Sequence, residues 1–230
     1  MFESKYSKVL TVILVIVIIS ILGLLGFLAY DFIQKYTVNK DASGYVENFQ
    51  GDVGDTTDIT PSSTDGNTTD SGEDPLSKFT NTAQTSSTTN TKPMYKGFGV
   101  VGTMTIPEID FEYPILEKVT KNSIETAVAF LYGTGINQPG NSVIVGHNYR
   151  NGLFFSNIHK LENGDKIYIK DNAGNTLTYD VYDKFTTSPD DTLFYQRDTG
   201  GVPEVTLSTC TDDSKERTII LARAEQEEQQ

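Results

Sequence analysis

From Val9 to Tyr30 the chain is predominantly apolar, and "VLTVILVIVIISILGLLGFLAY" carries no charge. At about 1.5 Å per helical residue it is long enough to cross the roughly 30 Å hydrocarbon core of a bilayer, and it predicts one membrane-spanning helix. Phe27 and Ala29 make a poor small-x-small exit, so residues 9–30 read as an uncleaved anchor rather than a signal peptide. Apolar patterning then disappears. Half of the residues from Thr56 to Thr91 are serine or threonine, with Asp, Gly and Asn in most of the gaps, and such a segment cannot bury enough surface to offset its chain entropy. Residues 31–93 are expected to be a disordered linker, with the membrane helix continuing through Tyr36 at its start.

From about Met94 short apolar runs recur, broken by Gly, Asn and Pro every ten or so residues, which is the rhythm of a small β domain. The predicted strands are Val100–Ile106, Phe111–Leu116, Ser142–Val145, Lys166–Ile169, Leu177–Phe185, Val205–Thr209 and Thr218–Ala222. Asn122–Phe130 and Leu153–Leu161 read as short helices; in the second, Phe154, Phe155, Ile158 and Leu161 recur at helical spacing. The expectation is a mainly β domain over 94–224, a single barrel with one or two short helices, followed by a polar tail, 225–230.

Charge sets the orientation of this arrangement and narrows its partners. Of the net −13, residues 1–8 carry +1 and the rest −14. The lysine excess before the span predicts that residues 1–8 stay in the cytoplasm and that everything after Asp31 faces outward. A chain so acidic lacks the basic footprint that phosphate backbones require, which excludes nucleic acid as a partner. Outside the cell cysteines normally pair, yet Cys210 is the only one in the chain.

Cys210 ends an alternating strand on which Thr206, Ser208 and Cys210 share one side and Val205, Leu207 and Thr209 the other. The polar loop "TDDSKE" follows, and Arg217 opens the next strand, so a hairpin can set a permanent cation beside the thiol. A neighbouring positive charge favours the thiolate, and an arginine also suits the oxygen of a tetrahedral intermediate. Acyl transfer through a thiol needs a proton donor for the leaving amine, usually histidine. Of the two available, His159 lies on the polar side of a predicted helix, whereas His147 stands where the apolar strand "SVIVG" ends. Spacing alone does not bring His147 to Cys210.

The string "TLSTC", with an arginine seven residues beyond its cysteine and the strand "RTIILA" after it, resembles the active-site signature of the sortases. "VIVGHN" is similar to the histidine strand of that family, and "GTMTIPEIDFEYPI" to its opening strands, in the same order along the chain. The resemblance implies a closed barrel of about eight strands on the outer face of a Gram-positive membrane. It implies a cysteine transpeptidase that cuts an LPXTG-like sorting signal between Thr and Gly and passes the acyl group to an amine of a peptidoglycan precursor or a pilin lysine. Carried over, Cys210 is the nucleophile, His147 the general acid and base, Arg217 the stabiliser of the oxyanion, and Thr209 a neighbour that assists near the substrate.

In the loop "TTSPDDTLFYQRDTGG", Leu193 and Phe194, with Tyr195, are candidate linings for the signal-peptide pocket. No metal or other cofactor is expected, since Leu131–Gly146 contains no Asp or Glu to join Asp190 and Asp191. The nearest string to an aromatic lid motif, Asp74-Pro75-Leu76, lacks the aromatic. The subclass stays open: "GHNYRNGLFFSNI" is similar to class B, while the short 211–216 loop suits a compact class A or D. The alternative reading is a tethered, non-catalytic β module with an inert cysteine.

Overall fold

The computed structural model describes residues 3–49 and 92–226, with side chains from residue 8 onward. Most of the expected linker, including Asp74-Pro75-Leu76, lies outside the described residues. Helix α1, Glu3–Asn48, carries the apolar run, and its large side chains there are exposed, Leu10 by 69% and Phe27 by 70%. By length and composition α1 is able to cross a membrane.

The helix does not end near Tyr36. Residues 31–48, expected at the start of a disordered linker, are helical, and from Val38 onward the helix is docked on the β domain. Val38, Ala42, Tyr45 and, just past the helix, Phe49 fall at spacings of four, three and four, which lines up one face. Ala42 and Phe49 are buried, and the Tyr45 ring meets Tyr95 edge-on with centroids 5.0 Å apart. The Tyr113 hydroxyl donates to Asn39, and Lys170 Nζ donates to the Phe49 carbonyl at 2.6 Å. Burial at this contact pushes the phenols of Tyr45 and Tyr113 up to about 12.

The β domain consists of β1 (Met94–Tyr95), β2 (Phe98–Ile106), β3 (Phe111–Leu116), β4 (Val128–Tyr132), β5 (Gly140–Val145), β6 (Lys166–Asp171), β7 (Thr176–Thr187), β8 (Pro203–Cys210) and β9 (Arg217–Ala224). The strand order is β1-β2-β3-β4-β5-β8-β9-β7-β6, and β6 pairs back onto β2. Apart from the two-residue β1, this is the closed eight-stranded barrel that was expected. The seven strands read from the sequence all form, each with its ends extended by up to three residues or, for Phe111–Leu116, unchanged.

One predicted helix gives way to a strand. Over Asn122–Phe130 only Lys121–Ile124 is helical (α2), started by a Thr120–Ser123 capping box. The chain then enters β4, parallel to β3 on one side and antiparallel to β5 on the other. Both edges of β4 are hydrogen-bonded, and Val128 and Ala129 are fully buried, so sheet pairing overrides a short run whose periodicity was ambiguous. Leu153–Leu161 forms a shorter 3-10 helix, Phe155–Lys160, which plugs Phe155 and Ile158 into the barrel.

Ile144 of β5, Val205 and Leu207 of β8 and Ile220 of β9 fill the barrel interior. The alternate residues of the same strands form an outer face. The connection from β7 to β8 runs back across that face and makes a short 3-10 turn, Leu193–Gln196, on it. A covered groove results, and it is here that the candidate chemistry lies.

Candidate active site

Cys210 pairs directly with Arg217 across the antiparallel β8–β9 ladder, as the hairpin argument required. On the other side β8 runs parallel to β5, with Val145 opposite Ser208. Carried two residues further, that register sets His147 beside Cys210 on a neighbouring chain, strands being about 4.8 Å apart. Hydrogen bonds show the two chains staying together past the last ladder pair. Gly146 N–H donates to the Ser208 carbonyl at 3.2 Å, and the Thr209 hydroxyl donates to the Gly146 carbonyl at 2.7 Å. Asn148 Nδ2 donates to the Cys210 carbonyl at 3.0 Å. The three residue types singled out for acyl transfer thus occupy adjacent rows at one rim of the barrel.

Gly146 has a steric reason to be glycine. A Cβ there would stand 2.9 Å from both the Phe155 ring and Val128 Cγ1, so the chain passes flat over the core just before His147. The imidazole lies against the Tyr149 ring, centroids 4.9 Å apart, and Tyr149 in turn meets the buried Phe154. His147, Cys210 and Arg217 are all half-buried. No hydrogen bond joins their side chains; Arg217 makes one long contact, from Nη1 to the Glu216 carbonyl at 3.3 Å. The guanidinium also lies close to the loop over the groove: burial pushes the Tyr195 phenol up, and the positive charge of Arg217 pulls against that shift.

Asn148 escaped the sequence reading. Besides holding the Cys210 carbonyl, its amide donates to Asp212 Oδ1 at 2.9 Å, while its own oxygen accepts the Arg150 N–H. It therefore laces the turn after the histidine to the loop after the cysteine. Only its position next to His147 could have signalled it.

Thr209 and Leu193 sit differently from what was expected of substrate contacts. The Thr209 side chain is buried on the inner face of β8, opposite to the thiol, and its hydroxyl is committed to Gly146. Leu193 is 88% exposed. Phe194 is half-buried against Phe185, centroids 5.9 Å apart, and Tyr195 stacks on Tyr132 at 5.7 Å, so these two rings seat the loop on the barrel. His159 is exposed and remote in role, its Nδ1 meeting the Ser156 carbonyl. Asp191, considered for metal binding, caps its own loop instead: it accepts from the Thr187 hydroxyl and the Leu193 N–H, which hold its carboxyl below the usual range. Among the described residues no group of three or more His, Cys, Asp or Glu side chains converges on one point.

Residues 104–225 match the family model described as the sortase domain. Over 124 residues the chain is 32% identical to sortase A of Bacillus anthracis, covering 53% of this chain and 58% of that protein. Among solved structures, sortase A from Corynebacterium diphtheriae superposes with a TM-score of 0.52 at 28% identity, over 57% of this chain and 63% of that one. Sortase C of Clostridium perfringens, solved with the C-terminal cell wall sorting motif, superposes with a TM-score of 0.50 at 25% identity, over 55% of this chain and 71% of that one.

Proposed function

The chain belongs to the sortase family, and from that premise we propose that it is a membrane-anchored cysteine transpeptidase whose reacting groups are Cys210, His147 and Arg217. The observation that carries this is the convergence at one rim: Cys210 in register with Arg217 on one side and, by continuation of the β5–β8 pairing, with His147 on the other.

The proposed course follows from those positions. The Cys210 thiolate attacks the threonine carbonyl of an LPXTG-like signal lying along the groove. The carbonyl oxygen gains negative charge next to Arg217, where a fixed cation in a water-poor site lowers the barrier most. The bond from threonine carbonyl to glycine nitrogen breaks, His147 protonates the departing amine, and a thioester to Cys210 remains. An amine then attacks the thioester, His147 takes its proton, and the thiolate leaves, restoring the starting state. An internal disulfide would abolish this nucleophile, which accounts for an unpaired thiol in an outward-facing domain. The acceptor is an amine of a peptidoglycan precursor or a pilin lysine. Helix α1 holds the barrel at the outer leaflet with residues 1–8 inside. That the related sortase C was solved with a sorting motif supports a peptide of this kind as donor.

Incubating the full chain with a panel of five-residue signal peptides and two amines, one glycine-based and one lysine-based, tests the reading by mass spectrometry of the joined products. A thioester on Cys210, trapped by hydroxylamine, is the expected intermediate. Failure of every signal to form product, together with a folded-state thiol that resists alkylation, would overturn it and leave the binding module.

A further inference from the structure

Six residues before the thiol, on the same face of β8, lies a carboxylate that the proposed reaction does not use. The Glu204 side chain is 1% exposed. Its Oε2 accepts from Arg197 Nε at 2.6 Å and from the Tyr182 hydroxyl at 2.9 Å, and its Oε1 accepts from Arg223 Nε at 2.7 Å. Arg197 belongs to the loop over the groove. Its Nη1 donates at once to the Phe194 carbonyl, at 3.0 Å, and to the Thr206 hydroxyl, at 2.8 Å. The Thr206 hydroxyl in turn donates to Asn141 Oδ1 at 2.8 Å, and Asn141 Nδ2 donates back to the Phe194 and Tyr195 carbonyls at 3.3 and 3.0 Å. The backbone of the 193–196 turn is thus gripped twice, directly by Asn141 of β5 and by the Arg197 guanidinium that Glu204 and Thr206 of β8 hold.

We propose that Arg197, held by Glu204, is a positioning residue that fixes the 193–196 turn as the wall of the donor-peptide groove. The inference rests on the transpeptidase reading for its consequence but not for its geometry. A buried carboxylate with three donors has one low-energy arrangement, because any other leaves a charge without partners in a dry site. The planar fork of arginine lets one side chain serve a carboxylate, a carbonyl and a hydroxyl together, which a lysine ammonium on a flexible stem does not reproduce. Phe194 and Tyr195 follow: with their carbonyls pinned, their rings stay on Phe185 and Tyr132. Between this turn and the β4–β5 connection lies an open cleft of about 640 Å³, lined in part by Tyr132, Asn141, Tyr195 and Arg197. The clamp therefore sets the shape of the groove remote from the thiol and leaves the reacting rim untouched.

The test uses the full chain in detergent and compares the parent with Arg197→Lys, Arg197→Ala and Asn141→Ala. Product formation by the parent checks the transpeptidase reading itself. For the variants, KM for the signal peptide is expected to rise by about tenfold to a hundredfold, the worth of charge-assisted hydrogen bonds, with kcat changed less than threefold. The rate of Cys210 alkylation by a small thiol reagent stays at the parent value. Hydrogen exchange of the 193–197 amides accelerates, and this readout holds even if the parent turns over none of the peptides. Unchanged exchange and unchanged KM in all three overturn the proposal. So does a fall in kcat that matches a fall in alkylation rate, since the effect would then be on the rim. If Arg197→Ala does not fold, Arg197→Lys, which keeps a cation beside Glu204 but loses the fork that also reaches Phe194 and Thr206, decides.

Discussion

The two ends of the outer face of β8 are built on opposite terms. At Glu204 both oxygens of a buried carboxylate have partners, and the partners reach further, from Tyr182 on β7 to Asn141 on β5, with Arg197 Nη2 the one buried nitrogen of that guanidinium left without an acceptor. At Cys210, about 20 Å away at 3.3 Å per residue, a thiol, an imidazole and a guanidinium stand in adjacent rows and make no side-chain hydrogen bond to one another. A densely hydrogen-bonded network specifies one structure; half-buried groups that do not bond one another keep their interactions free for something that arrives. Under the proposed function, the same strand fixes the groove at one end and leaves it reactive at the other.

Breaking the reserved end has the largest effect on activity and the smallest on the fold. Cys210→Ala is expected to bring transpeptidation to background, His147→Ala to lower it by about 10²–10⁴-fold, and Arg217→Ala by about 10²–10³-fold. Because these side chains are half-buried and almost unbonded, unfolding free energies should stay within about 0.5 kcal/mol of the parent. A chemical-denaturation series alongside the product assay checks both halves. A large loss of stability in any of the three would mean that the rim is structural.

Breaking the hydrogen-bonded end reverses the pattern. Glu204→Ala leaves the largely buried Arg197 guanidinium without its counter-charge and should cost about 3–5 kcal/mol, read from the denaturant midpoint. The exposed half of Arg223 can regain water, which favours the lower figure. Retention of the parent midpoint would show that the network contributes nothing net.

This contrast was only half legible in the chain. Alternation exposed the strands, and the hairpin "TLSTCTDDSKER" was enough to set Arg217 beside Cys210. The partnership with His147 depends on the register of two parallel strands 63 positions apart, which no local pattern encodes, and only resemblance supplied it. The Glu204 clamp was missed although a signal existed: a lone glutamate inside the apolar run "PEVTLSTC", on the cysteine side of the alternation, is a charge in need of partners. Strand β4 was lost because a short apolar run after a helix start satisfies either period. The docked C-terminal end of α1 was lost because the Ser/Thr-rich segment beyond it drew the boundary too early, over a stripe of Val38, Ala42, Tyr45 and Phe49 that already had helical spacing.

Between the two ends lies the passage over Gly146. Gly146→Ala forces a methyl to within 2.9 Å of a rigid ring and a β-branched side chain, neither able to swing aside. A cost of about 1–3 kcal/mol is expected, together with a fall in kcat, because the displaced chain carries His147. Stability lost with kcat intact would mean that the core yields and the histidine does not move.

The smallest expected effect separates the two faces of β8 at the cysteine itself. Thr209→Val keeps the shape of the side chain and removes one buried donor, so the Gly146 carbonyl loses the bond that ties the histidine strand to the cysteine strand. The loss should be about 1 kcal/mol, and Thr209→Ser should restore most of it. Since the hydroxyl faces the barrel interior, Cys210 alkylation and KM for the signal peptide are expected to hold. If Thr209→Val instead raised KM tenfold at parent stability, the hydroxyl would have to turn toward the groove when peptide binds. The inner face of β8 would then belong to the reserved chemistry rather than to the frame around it.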